Sequence, residues 1–358
     1  MKGYGMKAVN QPAWLEKEKP VADPLGAVLR PIALAPCSSD VHTMHGGAGE
    51  QTDMILGHET VGEVVEVGSL VTKFKPGDIV VVPCVTPDWE QLGVQDGKYN
   101  AHDSGMFGSF KFTSSEDGTM AEFFHVNNAD ANLVILPEGV SAEAALMTVD
   151  MMSTGFHGVE LAEVSYGDTV VVIGIGPVGL MAVAGAQLKG AGRIIAVGTR
   201  PNCIKVAKEY GATDIISYKD GDIVEQVMKM TGGGADKVII AGGNGETFTQ
   251  AVSMTKECGI ISNVNYFDLT ETLSMPAYVW GLGMANKDIR GGFCPGGAKR
   301  IQRMIELIKY GRIDTTKLIT HRFYGFSEME TAFKMMEEKP ADLIKPVVFI
   351  DWDKEKLN

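Results

Sequence analysis

The chain has 358 residues, too many for one ordinary hydrophobic core, and its 45% hydrophobic and 22% charged residues are typical of a folded globular protein. A net charge of −13 excludes a general nucleic-acid face or an acidic membrane surface as partner, though not a local basic pocket. Five scattered cysteines (Cys37, Cys84, Cys203, Cys258, Cys294) form no C-x-x-C pair, which argues against a disulfide framework and for a reducing, cytoplasmic home.

Met1–Val9 lacks the long apolar core of a signal peptide and reads as an early strand. The runs Ala27–Leu34, Thr60–Val67 and Asp78–Val82 are short, β-branched and punctuated by Pro and Gly, so the first 150 residues are expected to be mainly β. Val61–Val67 alternates poorly, as a strand buried on both faces would. Pro87–Asp117 is polar and glycine-containing and reads as a long loop.

From Ser153 the rhythm changes. Strands at Thr169–Ile173, Arg193–Val197, Asp214–Ser217, Lys237–Ala241 and Gly259–Val264 alternate with helices at Val178–Lys189, Asn202–Tyr210, Ile223–Met230 and Glu246–Met254. That alternation implies parallel strands joined by right-handed crossovers, a Rossmann-type doubly wound α/β sheet. Helices at Lys299–Tyr310 and Ser327–Glu338 and a strand at Lys345–Ile350 close the chain. The uncharged run Val170–Ala186 is slightly short for a membrane span and carries four glycines and Pro177, so it reads as strand, turn and helix. The expected organisation is a catalytic domain over 1–152, a dinucleotide-binding domain over 153–295, and a return to the first domain over 296–358.

Between strand and helix lies Gly174-Ile175-Gly176-Pro177-Val178-Gly179. A lone G-x-G-x-x-G often serves only a tight turn, but in this context each glycine has a task. Gly174 permits the turn, Gly176 lets a pyrophosphate approach the backbone, and Gly179 lets helix pack on strand. The helix N-terminus then offers free N–H groups to the phosphates. Where an NAD site carries an acidic residue, this chain has Gly198-Thr199-Arg200. No carboxylate repels a 2′-phosphate there, Thr199 offers a hydroxyl and Arg200 a forked cation, with Tyr218 and Lys219 placed to close the pocket. NADP is favoured over NAD. A charge-assisted contact of about 1.5–3 kcal/mol corresponds to roughly 10- to 100-fold preference. The plainer alternative is a surface arginine beside a turn glycine.

Cys37-Ser38-Ser39-Asp40-Val41-His42 precedes Gly57-His58-Glu59-Thr60-Val61-Gly62 by twenty residues. Thiolate, imidazole and carboxylate are the ligands of a catalytic zinc that keeps one position open. Alone, Cys37 reads equally as a core thiol and His58 as a turn histidine.

These motifs stand with three other stretches, Met147-Thr148-Val149-Asp150-Met151-Met152-Ser153-Thr154-Gly155-Phe156-His157-Gly158, Gly198-Thr199-Arg200, and Gly291-Gly292-Phe293-Cys294-Pro295-Gly296-Gly297. Together they resemble, along nearly the whole chain, the medium-chain zinc-dependent alcohol dehydrogenases. The likeness is greatest to the tetrameric NADP-dependent secondary-alcohol dehydrogenases of anaerobic bacteria and protozoa. The resemblance implies a GroES-like catalytic domain beside the Rossmann domain and a homotetramer. It implies zinc ligands Cys37, His58 and Asp150, with Asp150 replacing the Cys of many relatives, and a carboxylate, Glu59, that enters or leaves the metal shell. Ser39 and His42 match a proton path outward, and Asn265 and Lys339 match positions that touch the cofactor. Pro87–Asp117 holds no cysteine, whereas many relatives bind a structural zinc there, so a single zinc is expected.

Phe110 stands where many relatives have Trp and Phe293 where many have Leu, and Val85, Thr86 and Tyr266 are expected to line the same substrate pocket. The implied reaction is hydride transfer between NADP(H) and a small secondary alcohol or ketone, aldehydes included. A polyol, hydroxysteroid or other hydroxyl-compound dehydrogenase of the same superfamily is the alternative. A zinc-free quinone or enoyl reductase would lack the Cys37, His58 and Asp150 set, and a non-catalytic protein on this scaffold would not need Ser39 and His42.

Overall fold

The computed structural model describes residues 1–97, 108–267 and 272–355, so the expected loop Pro87–Asp117 lies partly outside the described residues. Within its described part a short helix, Leu92–Gln95, interrupts it. Contacts divide the chain into two units, Met1–Asp150 with Pro295–Asn358, and Met151–Cys294.

The first unit is built on a seven-stranded sheet. Its order is Ile319–Tyr324, Lys345–Phe349, Ala27–Leu34, Thr60–Val67, Ile79–Val82, Val134–Ile135, with Phe124–Val126 also pairing Ala27–Leu34. Register does the positioning. Leu34 lies opposite Thr60 on one side and opposite Val348 on the other, both antiparallel. Continuing the chain three residues past Leu34 reaches Cys37. The same step backward from Thr60 reaches Gly57, next to His58, and from Val348 reaches Lys345. Sequence stretches hundreds of residues apart are thus delivered to one sheet end.

The strand Thr60–Val67 is enclosed only at Thr60–Gly62 and at Val64, which corrects the expectation of burial on both faces. Glu63 instead receives the Arg30 guanidinium at 2.8 and 3.0 Å. Ile319–Tyr324 and the short strands near residues 124–135 carry no alternation strong enough to be read from sequence.

The second unit holds six parallel strands in the order Asp214–Ile216, Arg193–Val197, Thr169–Ile173, Ala235–Ile240, Thr255–Asn263, Asp288–Gly291. By sequence order this is 3-2-1-4-5-6, the doubly wound arrangement whose crevice opens where the order reverses. Val170, Val171 and Val172 are all fully buried, so both faces of the strand are covered and no alternation is needed. Each such side chain contributes about 1.5–3 kcal/mol. The sixth strand went unread because it is a mostly exposed edge of four residues, Asp288-Ile289-Arg290-Gly291. Among the described residues no helix is long and apolar enough to cross a membrane.

Candidate active site

In the first unit, Cys37, His58, Glu59 and Asp150 each offer a donor atom, and these four atoms lie within 4.8 Å of one another. His58 Nε2 is 3.5 Å from Asp150 Oδ2, and Cys37 Sγ is also 3.5 Å from Asp150 Oδ2. Zinc bonds of about 2.0–2.3 Å in a tetrahedron put ligand atoms roughly 3.3–3.8 Å apart, so this donor set fits such an ion. Glu59 Oε1 stands further out, 3.9 Å from His58 Nε2, and Glu59 Oε2 is buried with no hydrogen-bond partner.

Local backbone explains how each donor arrives. Gly57 has φ of +99°, and a Cβ there would stand 2.9 Å from the Met120 backbone nitrogen, so the turn into His58 requires glycine. Asp150 lies within a π-helical turn, Thr148–Met152, a departure from α-geometry that recurs at functional sites. Cys37 closes the strand's exit and precedes the helix Ser38–Met44.

One buried carboxylate ties these pieces together and was not anticipated from sequence. Asp40, fully enclosed, accepts the Cys37 N–H at 2.8 Å through Oδ2 and the Gly57 N–H at 3.0 Å through Oδ1. The same Oδ1 is 3.2 Å from His58 Nδ1. It therefore orients the imidazole so that Nε2 faces the other donors, the usual task of a carboxylate behind a metal-binding histidine. Lys345 was missed as well. Its ammonium, in the interior, donates to Glu59 Oε1 at 2.7 Å. A lysine opening an otherwise apolar strand was the available signal.

Charge shifts follow from this crowding. Burial pushes the Cys37 thiol up, partly opposed by Lys345. Burial would depress His58, but the charge of Asp40 and hydrogen bonds to Asp150 and Asp40 outweigh it and hold the imidazole well above its ordinary value. Burial raises the Glu59 carboxyl to about 7 against the pull of Lys345. Lys345 itself is raised, the surrounding Glu59 and Cys37 charges overcoming its burial. Such a knot of acids and bases invites a cation.

Ser39 Oγ lies 3.3 Å from His58 Nε2, which brings the expected proton carrier to the donor cluster. His42 sits one helical turn further on and is partly exposed. The Phe110 ring meets His58 edge-on at 5.2 Å. Val85 and Thr86 are buried, and the Thr86 N–H donates to the carbonyl oxygen of Ser109, next to Phe110 in the chain, at 2.8 Å. Lys339 ends the helix Met329–Glu338 in the left-handed conformation.

The second unit carries a cleft of about 730 Å³ lined by Gly174, Ile175, Gly176, Gly198, Thr199, Arg200 and Tyr218. Gly174 has φ of +87°, and a Cβ on Gly179 would fall on the Gly174 carbonyl oxygen. A Cβ on Gly176 would instead meet only open space, with Arg200 Nη2 at 3.6 Å. The surface there is bare backbone with a guanidinium above it, suited to a phosphate. Pro177 opens the helix Pro177–Leu188, whose first turn includes Val178. Thr199 donates to the Tyr218 hydroxyl at 2.7 Å, joining the two sides of the pocket. Lys219 is exposed and is not among the lining residues. Sequence reasoning missed Gly242, Gly243 and Asn244, which line the cleft after the fourth strand. The Gly-Gly-Asn run was the readable sign. Asn265 reaches Gly243 O with Nδ2 at 3.4 Å, Tyr266 is 39% exposed, and Phe293 is partly buried.

Known proteins place this geometry. The alcohol dehydrogenase GroES-like domain matches residues 24–138, and the zinc-binding dehydrogenase domain matches residues 177–310. An NADP-dependent isopropanol dehydrogenase of Thermoanaerobacter brockii is 57% identical, covering 98% of this chain and 100% of its own. A protein of the same name from Entamoeba histolytica is 55% identical, covering 99% of this chain and 97% of its own. Among solved structures, zinc dependent alcohol dehydrogenase 2 from Streptococcus pneumonia, in its apo form, superposes with a TM-score of 0.88 at 28% identity, covering 98% and 99% of the two chains. The donor cluster, the glycine-built cleft and the likeness along the chain agree, and the protein belongs to the zinc-dependent, medium-chain alcohol dehydrogenase family.

Proposed function

We propose that this enzyme moves a hydride between NADP(H) and a small secondary alcohol or its ketone, with one zinc held by Cys37, His58 and Asp150. The observation that carries the reading is the convergence of thiol, imidazole and carboxylate at mutual distances near 3.5 Å. Relatives more than half identical and named for isopropanol and NADP support the substrate class and cofactor.

A bound zinc would supply a Lewis acid that polarises the substrate oxygen and eases loss of the hydroxyl proton. NADP(H) along the Gly174 loop would supply the hydride acceptor or donor. The chain's own residues do the rest. Asp40 holds His58 in the orientation that presents Nε2. Ser39 takes the substrate proton at Oγ and passes it outward toward His42. Arg200, with Thr199 and Tyr218, receives the 2′-phosphate, and Asn265 and Lys339 contact the cofactor. Phe110 and the Val85–Thr86 corner bound the substrate on the donor-cluster side.

We further propose a cytoplasmic homotetramer. Five cysteines outside any disulfide suit a reducing compartment, and the exposed side chains of Tyr278, Leu282 and Met284, at 85%, 74% and 82%, suit burial by another copy. Light scattering reads the mass directly.

The deciding experiment joins metal analysis to a grid of 2-propanol, acetone, a primary alcohol and a polyol against NADP(H) and NAD(H). One zinc per chain with fastest turnover of 2-propanol and acetone on the phosphorylated cofactor is expected. Metal-free turnover, or a clear preference for polyol with NAD, overturns the proposal.

A further inference from the structure

The Phe110 ring meets His58 edge-on, yet Phe110 belongs to no strand or helix, so its place depends on its two neighbours in the chain. On one side, the Ser109 carbonyl oxygen accepts the Thr86 N–H at 2.8 Å. On the other, Lys111 donates from Nζ to Asp88 Oδ1 at 2.7 Å. Residues 86–88 thus grip Phe110 from both flanks, but they too lie outside any strand or helix. Something else holds them. Buried Asn127 places its amide nitrogen 3.2 Å from the carbonyl oxygens of both Thr86 and Pro87, and 2.8 Å from Asp88 Oδ1. Asn128 Oδ1 is a fourth oxygen, at 3.3 Å. An amide nitrogen donates and does not accept, so this ring of oxygens fixes which end of the Asn127 side chain points inward. Asn132, the other buried asparagine nearby, donates to Pro87 O at 3.1 Å and to Asn127 O at 2.9 Å, and to neither Thr86 nor Asp88.

Resting on the proposed alcohol dehydrogenase function, in which Phe110 bounds the substrate, we infer that Asn127 is a positioning residue that sets substrate size. It holds residues 86–88, and they hold Phe110 against His58. Asn127 reaches the substrate only through this chain of contacts. Its replacement by aspartate keeps the shape and exchanges the donor for an oxygen that faces four other oxygens. The corner then moves away, the two ties to Ser109 and Lys111 slacken, and the ring gives up space to larger alcohols.

The test measures kcat/KM for 1-cyclohexylethanol divided by that for 2-propanol, together with hydrogen exchange of the peptide spanning residues 84–91. Asn127→Asp is expected to raise the ratio by about tenfold. It is also expected to speed exchange in that peptide by about tenfold or more, because the Thr86 N–H loses its partner. Phe110→Ala raises the ratio by itself, and adding Asn127→Asp to it is expected to change the ratio by less than about twofold, as two changes on one path do. A ratio that stays or falls in Asn127→Asp, exchange that stays slow, or a full further rise in the Phe110→Ala background overturns the inference. A purely structural asparagine would lower the melting temperature and leave the ratio unmoved. Should Asn127→Asp fail to fold, Asn127→Ser is read by the same measurements, with the same outcomes. Unaltered protein that oxidises neither alcohol would instead sink the functional reading, and exchange at residues 84–91 would still decide whether Asn127 holds the corner.

Discussion

The donor cluster of the first unit and the cleft of the second are made of opposite materials. The cluster is a set of side chains, buried His58 and Glu59 with half-buried Cys37 and Asp150, held together from behind by Asp40 and Lys345. The cleft is built around a bare backbone turn, where Gly174, Gly176 and Gly179 matter for what they lack. A site of charged side chains fails when an atom is removed, because the remaining charges lose their partners. A site of bare backbone fails when an atom is added.

The largest expected effect therefore comes from deletion in the first unit. Asp150→Ala should strip zinc and lower turnover by about 10³-fold, the several kcal/mol that a Lewis acid supplies. Full metal content and activity in that variant, by elemental analysis and steady-state assay, would remove Asp150 from the ligand set. In the second unit, Arg200→Gly should reduce NADP preference over NAD by roughly 10- to 100-fold. Unchanged selectivity in kcat/KM would refute the phosphate pocket. Adding Gly198→Asp should improve NAD use only with Ile175→Ala, since a Cβ on Gly198 would collide with the Ile175 side chain.

Addition of a single methyl group tests the backbone site. Gly179→Ala should cost about 1–3 kcal/mol through overpacking against Gly174, visible as a lowered urea midpoint. An unchanged midpoint would mean the loop yields freely.

The smallest effect lies at His125, where charges stay partly wet. Its ring contacts Asp23 Oδ2 at 2.8 Å and Glu116 Oε2 at 3.4 Å. Burial would lower its pKa, but the hydrogen bond and charge of Glu116, with Asp23, raise it. Because the folded pKa exceeds the unfolded value of about 6.5, the stabilisation is complete below that pH and is lost as pH climbs through the folded pKa. Urea midpoints should fall over that window by less than about 1 kcal/mol in equivalent stability, and the fall should vanish in His125→Asn. A pH-independent difference between the two proteins would contradict this.

Much was legible from residues alone. The valine run ending at Gly174 announces a buried parallel strand and a glycine turn at the cleft, because local sterics and periodicity act within ten residues. Gly198-Thr199-Arg200, read by the same logic of charge type at a set distance, lines the cleft. Asp40 was hidden in plain view inside the Cys37–His42 motif, since nothing local distinguishes a surface carboxylate from one that accepts bonds from both Cys37 and Gly57. Lys345 was hidden further away, almost 290 residues from Glu59 along the chain.

The amino-acid order by itself determined the alternation of strand and helix, the glycines of the turn, and the identities of the thiol, imidazole and carboxylates. Tertiary structure alone decided which of those side chains share a few ångströms and which cation neutralises them. The physical reason is register: pairing Leu34 with both Thr60 and Val348 brings Cys37, His58 and Lys345 to one sheet end, and hydrogen bonds between distant strands leave no trace in any local stretch of chain.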